Sequence, residues 1–125
     1  MKNILLVAFG GGMGSVARYL LSLYFVRNTY GGFPLATLVV NVIGCLLIGL
    51  LFGLAERGEL LSSELRLLLA VGFCGGFTTF STFSNETFVL VRGGQIYSAL
   101  FYIGLSVLLG FFAVVMGYKL ITLIR

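Results

Sequence analysis

GGFTTFSTFSNET, residues 75–87, is the stretch on which the reading of this chain turns. It sets two glycines and then five hydroxyl side chains, Thr78, Thr79, Ser81, Thr82 and Ser84, among Phe77, Phe80 and Phe83. All of it up to Asn85 lies inside a stretch that carries no charge from Leu67 until Glu86, long enough to cross a bilayer as a helix. One or two hydroxyls in such a helix bond back to their own backbone. Five together leave some that must point away from lipid, and irregular backbone at this depth persists only inside protein or beside a water-filled cavity. A polar pathway at a broken third crossing is therefore the expectation.

Two consequences follow if the helix breaks after Gly75 and Gly76. The second half-helix starts near Thr78 and Thr79 with free N–H groups and a partial positive charge, while unwound carbonyls at the break can hold a small cation. Such a break serves ions of either sign. Phe77, Phe80 and Phe83 fall three apart and so line one side of that half-helix; an aromatic ring has a positive edge that can solvate an anion. The same spacing also describes an ordinary apolar core stripe.

Working outward, 59% of the residues are hydrophobic and 10% charged, against about 25% charged in soluble domains. The mean hydropathy is +1.12. This is a bilayer composition, and 125 residues hold about four spans of roughly 20 residues with no room for a separate soluble domain. The expected architecture is all-α, a single transmembrane domain over 1–125 with spans at about 4–26, 33–55, 66–91 and 96–118. Lys2 ahead of an apolar run, with Ser15, Val16 and Ala17 resembling a cleavage site, raises a signal peptide. The run from Ile4 to Phe9 is shorter than the usual core of about 7 to 15 residues, so a retained span is expected.

Histidine, aspartate and tryptophan are absent, and three of the four glutamates, Glu56, Glu59 and Glu64, crowd into one short stretch. That leaves little for acid–base chemistry or metal ligation, so an enzyme is not expected. Cys45 and Cys74 sit in apolar stretches as packing residues. The basic residues are scattered and form no nucleic-acid patch. Lys2, Arg57, Arg66, Lys119 and Arg125 share one side of a four-span chain, with Arg18, Arg27 and Arg92 toward the other; five against three is a weak positive-inside bias. So little bias permits insertion in both orientations, and with no internal repeat in the chain, an antiparallel homodimer would supply the inverted halves on which many transporters build a midplane site. Small residues four apart, Gly10 and Gly14, Gly49 and Gly53, Gly72 and Gly76, have the spacing of close helix packing in lipid.

Three further polar residues stand inside or near spans. Asn41 is the strongly polar residue of the second span, and its amide offers either two N–H donors to an anion or a helix-to-helix bond. Arg18, a guanidinium inside the first span, demands a partner or an aqueous cavity, where it raises the local anion concentration. Glu86 reads either as its opposite number or as an interfacial residue near Arg92.

GSVARYL at Gly14 to Leu20, FPLATLVVNVIGC at Phe33 to Cys45 and GGFTTFSTFSNET together resemble the small bacterial fluoride channels called Fluc or CrcB, along the whole chain. The resemblance implies a dual-topology, antiparallel homodimer in the bacterial plasma (inner) membrane, with two fluoride pores and one structural sodium ion at the dimer interface. It implies Phe80 and Phe83 as edge-on fluoride ligands, Asn41 as an amide donor in the pore, and Gly75 and Thr78 as sodium ligands through their carbonyls. Ser81, Thr82 and Tyr102 become further polar groups along the route, with Ser106 beside them, and Arg18 and Glu86 belong to the vestibules. Passive efflux would counter fluoride that enters as neutral HF and ionises inside, giving fluoride resistance. The chief alternative is a small proton-coupled multidrug exporter, which needs a titratable acid deep in a span; spans one, two and four offer none. A non-transporting packing subunit leaves the concentrated hydroxyls without a purpose.

Overall fold

The computed structural model describes residues 1–28, 32–58 and 61–124; Glu59 and Arg125, counted among the charges above, lie outside them. The described residues form helices and no strands: α1 (Lys2–Asn28), α2 (Leu35–Glu56), α3 (Ser63–Arg66), a π-helical segment (Leu67–Cys74), α4 (Gly75–Phe77), α5 (Phe80–Arg92) and α6 (Ile96–Leu123). Four stretches among them are long and apolar enough to cross a membrane: Lys2–Arg27, Leu35–Glu56, Ser63–Arg92 and Ile96–Leu123. The shortest, 22 residues, is about 33 Å long at 1.5 Å per residue, against a hydrocarbon core of about 30 Å.

Local chemistry sets the helix ends. Pro34, lacking an N–H, stands just ahead of α2, where no donor is needed. The third crossing starts at Ser63, earlier than the uncharged run alone suggests, because Ser62 caps it: its hydroxyl accepts from the Leu65 N–H at 3.2 Å, and Glu64 faces the positive helix end. At the far end of the chain, α6 runs on to Leu123, and the Arg57 guanidinium donates to the Thr122 carbonyl at 3.3 Å and to that of Ile124. On the same end of the bundle the Tyr118 hydroxyl donates to Glu56 at 2.6 Å, and Lys2 pairs with Glu64.

Packing rests on two glycine seams. The wide turns of the π-helical segment bring its carbonyls against α1: a Cβ at Gly10 would lie 2.2 Å from the Leu68 carbonyl oxygen, and one at Gly14 would lie 2.1 Å from that of Phe73. Between α2 and α6 the fit is reciprocal. A Cβ at Gly49 would fall 2.1 Å from the Val114 carbonyl oxygen, and one at Gly117 would fall 2.4 Å from that of Leu46. Small residues permit such backbone approach, which in lipid supplies the dispersion contacts that water would otherwise drive. A small core of Leu38, Leu90, Ala99 and Tyr102 joins α2, α5 and α6. The outer faces are apolar, with Phe9, Met13 and Val16 of α1 and Val107, Phe111 and Phe112 of α6 all exposed. Lipid, not water, suits that surface.

Candidate functional site

Between α4 and α5 two residues leave the helix: Thr78 (φ −81°, ψ 159°) and Thr79 (φ −151°, ψ 117°). The glycines before them do not. Gly75 keeps helical angles (φ −62°, ψ −38°), and Gly76 serves packing, since a Cβ there would lie 2.3 Å from the Gly11 carbonyl oxygen. The departure therefore falls on the β-branched threonines, which tolerate extended backbone and bring hydroxyls to compensate it. Thr78 Oγ1 donates to the Cys74 carbonyl at 2.8 Å, and Thr79 Oγ1 caps α5 by accepting from the Thr82 N–H at 3.3 Å.

The peptide groups of Thr79 are held from α2. Its N–H donates to Asn41 Oδ1 at 2.8 Å, and its carbonyl accepts from Asn41 Nδ2 at 3.1 Å. In a continuous helix the Thr79 N–H would close onto the Gly75 carbonyl, and the Thr82 N–H onto that of Thr78. Both donors are turned elsewhere, so the two carbonyls proposed from sequence as cation ligands lose their helical partners. Carbonyl oxygens suit a hard cation such as sodium. Of the two uses open to Asn41, the structure shows the helix-to-helix bond, which spends one of its two amide N–H groups on Thr79.

A cleft of about 360 Å³ opens beside this interruption, lined by Asn41, Thr78, Thr79, Phe80, Phe83 and Ser106 together with apolar residues of α2 and α6. The N-terminus of α5 faces it with its partial positive charge. The Ser106 hydroxyl is buried and, among the described residues, has no hydrogen-bond partner. Phe80 is 80% exposed on the open side of the cleft; its ring centroid lies 5.9 Å from that of Phe83, which in turn lies 5.0 Å from that of Tyr102. Phe77 does not share this wall. It belongs to α4, is 3% exposed, and stacks on Phe73 with centroids 5.5 Å apart, because the two extended residues reset the helical phase between Phe77 and Phe80.

The remaining residues singled out from sequence do not line the cleft. Ser81 and Thr82 place their hydroxyl oxygens 3.4 and 3.1 Å from Thr79 Oγ1, and Ser81 is exposed. Tyr102 is fully buried and donates to Glu86 Oε2 at 2.8 Å, while Glu86 Oε1 accepts from Thr37 at 2.8 Å. Glu86 and Arg18 are thus not paired with each other. Arg18 Nε instead donates to the Gly76 carbonyl at 3.1 Å, with the Ser15 hydroxyl at 3.5 Å from the same oxygen. Sequence reasoning missed Thr37, although it stands four residues before Asn41 and hence on the same face of α2.

Fold and site together define a multi-pass, all-helical membrane protein with a mostly apolar cleft, carrying a few polar groups, beside two extended residues of its third crossing. The chain belongs to the family described as CrcB-like protein, Camphor Resistance (CrcB), whose sequence profile matches residues 5–118. Among its curated relatives, the fluoride-specific ion channel FluC of Flavobacterium psychrophilum is 50% identical, covering 90% of this chain and 91% of its own length. That of Phocaeicola vulgatus is 47% identical (94% and 96%), and that of Azobacteroides pseudotrichonymphae 44% identical (96% of each).

Proposed function

We propose that this chain is a passive, fluoride-selective ion channel of the bacterial inner membrane, and not an enzyme. Supporting this reading are relatives named fluoride-specific ion channels at 44% to 50% identity over nine-tenths or more of the chain. The observation that carries it in this molecule is one cleft lined by Asn41, Ser106, Phe80 and Phe83 beside the N-terminus of α5. Each presents positive polarity to a small anion, and none brings a full charge that would hold it in place. A strongly hydrated ion passes such a site by exchanging its water for these donors.

In this reading the extended pair Thr78 and Thr79 is a functional break in the third crossing, and the chain works as an antiparallel, dual-topology homodimer with two pores. The carbonyls of Gly75 and Thr78, meeting those of a second copy, hold a structural sodium ion. Ser81, Thr82 and Tyr102 extend the polar route, and Arg18 and Glu86 serve the vestibules. The proton-coupled exporter gains no support, because Glu86, the acid of the third crossing, is engaged by Thr37 and Tyr102.

The test is efflux from liposomes holding the purified protein. Release of fluoride with retention of chloride is expected, slowed in Asn41→Asp and Phe80→Ile. Equal leakage of both anions, or uptake of organic cations driven by a pH gradient, overturns the reading.

A further inference from the structure

We infer that Asn41 is a positioning residue: its carboxamide clamps both peptide groups of Thr79 and so keeps the third crossing extended at Thr78 and Thr79. The bond from the Thr79 N–H to Oδ1 is 2.8 Å and that from Nδ2 to the Thr79 carbonyl 3.1 Å, and the residue sits on a different crossing, 38 positions away. A carboxamide is the side chain that offers a donor and an acceptor side by side, so it pairs with an extended residue as a neighbouring strand would. Aspartate keeps the acceptor and loses the donor. Serine is too short to serve both sides.

The pairing opposes a specific alternative. Were Asn41 apolar, the Thr79 N–H would have no partner on α2, and its nearest acceptor would be the Gly75 carbonyl, four residues back, in a resumed helical turn. The remaining polar contacts do not prevent this: Thr78 Oγ1 bonds back to Cys74 within the same helix, and Thr79 Oγ1 caps α5 from outside the peptide group. α2 cannot close in further on Thr78, because Gly44, one turn on, already packs against it; a Cβ there would lie 2.0 Å from Thr78 Cγ2. Asn41 thus decides whether the carbonyls of Gly75 and Thr78 are spent inside a helix or turned outward. This role is separate from donation to an anion, which uses the other N–H alone.

The inference rests on the channel reading only where sodium enters, and two measurements keep them apart. The first is residue-resolved NMR of the full-length protein in lipid nanodiscs, read as amide exchange and carbon chemical shifts. Asn41→Ala is expected to move the Thr78 and Thr79 Cα resonances downfield, from extended toward helical values, as the Thr79 N–H takes the Gly75 carbonyl. Asn41→Asp, which keeps the acceptor and the size of the side chain, is expected to leave the Thr79 amide protected while its carbonyl carbon resonance moves upfield. Unmoved Cα resonances in Asn41→Ala, or an unmoved carbonyl resonance in Asn41→Asp, overturns the clamp.

The second measurement is fluoride release from liposomes at varied sodium. Asn41→Ala is expected to raise the sodium concentration needed for half-maximal release at least tenfold. An unchanged sodium requirement, with only the fluoride dependence altered, assigns Asn41 to the anion alone and overturns the positioning role. Wild-type release that ignores sodium overturns the sodium reading, and the first measurement then decides the clamp by itself.

Discussion

Glu86 stands between Thr37 and Tyr102, accepting a hydrogen bond of 2.8 Å from each through a different carboxylate oxygen. One carboxylate thereby ties α2, α5 and α6 together beside their shared core, where Tyr102 is fully buried. Removing it takes their shared acceptor from two hydroxyls. Glu86→Ala is expected to lower stability by about 1–3 kcal/mol, the cost of leaving a buried polar group unpaired, read as a lower midpoint of thermal unfolding in detergent. Tyr102→Phe removes one bond and leaves Glu86 its other, so a smaller loss is expected.

Phe77 and Phe80 separate packing from selectivity. Phe77 is buried against Phe73 and lies off the cleft wall, whereas Phe80 is largely exposed on it. Phe77→Leu is expected to cost less than about 1.5 kcal/mol and to leave the ratio of fluoride to chloride release unchanged. Phe80→Ile, which swaps a ring edge for a branched alkyl group, is expected to slow fluoride release at nearly unchanged stability. Parallel flux and unfolding measurements on the two variants check this.

At Arg18 the contribution of charge can be separated from that of the hydrogen bond. Its Nε bond to the Gly76 carbonyl anchors α1 to α4, and hydrogen bonds from charged donors contribute about 1.5–3 kcal/mol. Arg18→Ala is expected to lose that stability and also to slow fluoride release more at 10 mM than at 1 M ionic strength, about 30 Å against about 3 Å of screening length. Arg18→Gln retains a donor and is expected to recover the stability but not the salt-dependent rate.

Crowding at the α2–α6 seam gives a prediction with an internal control. Gly49→Ala places a methyl 2.1 Å from a carbonyl oxygen, whereas Gly12 and Gly104 have open space where a Cβ would go. Gly49→Ala is expected to destabilise by about 1–3 kcal/mol or to abolish assembly, and Gly12→Ala to change little. Yield and unfolding midpoint, measured side by side, decide it.

The four crossings were legible because, Arg18 and Glu86 apart, charge is confined to their ends and because an uncharged run of spanning length has few alternative uses. The polar character of residues 78–84 was equally plain from composition. Its geometry was not. The glycines at 75 and 76 invite an interruption there, yet both are helical, and the extended residues are threonines whose peptide groups are satisfied from α2, a contact between residues 38 positions apart. Phe77 was grouped with Phe80 and Phe83 because a constant helical period was assumed across the very point where the period is reset. Glu86 is read from sequence as a candidate opposite number to Arg18 but does not pair with it: hydroxyls on α2 and α6 reach it first, and only the packing of those helices reveals Thr37 as one of them.

The reciprocal contact of Gly49 with Val114 and Gly117 with Leu46 has a mechanical meaning. Two backbones that meet with no side chain between them have no rotamers to exchange and no cushion to compress. α2 and α6, which flank the cleft, therefore move as one stiff plate, and an aperture framed by such a plate keeps its calibre. In the channel proposed above it would neither shrink around an undersized guest nor yield to an oversized one, so discrimination by fit would rest on the stiffness of its frame as much as on the groups that face the ion.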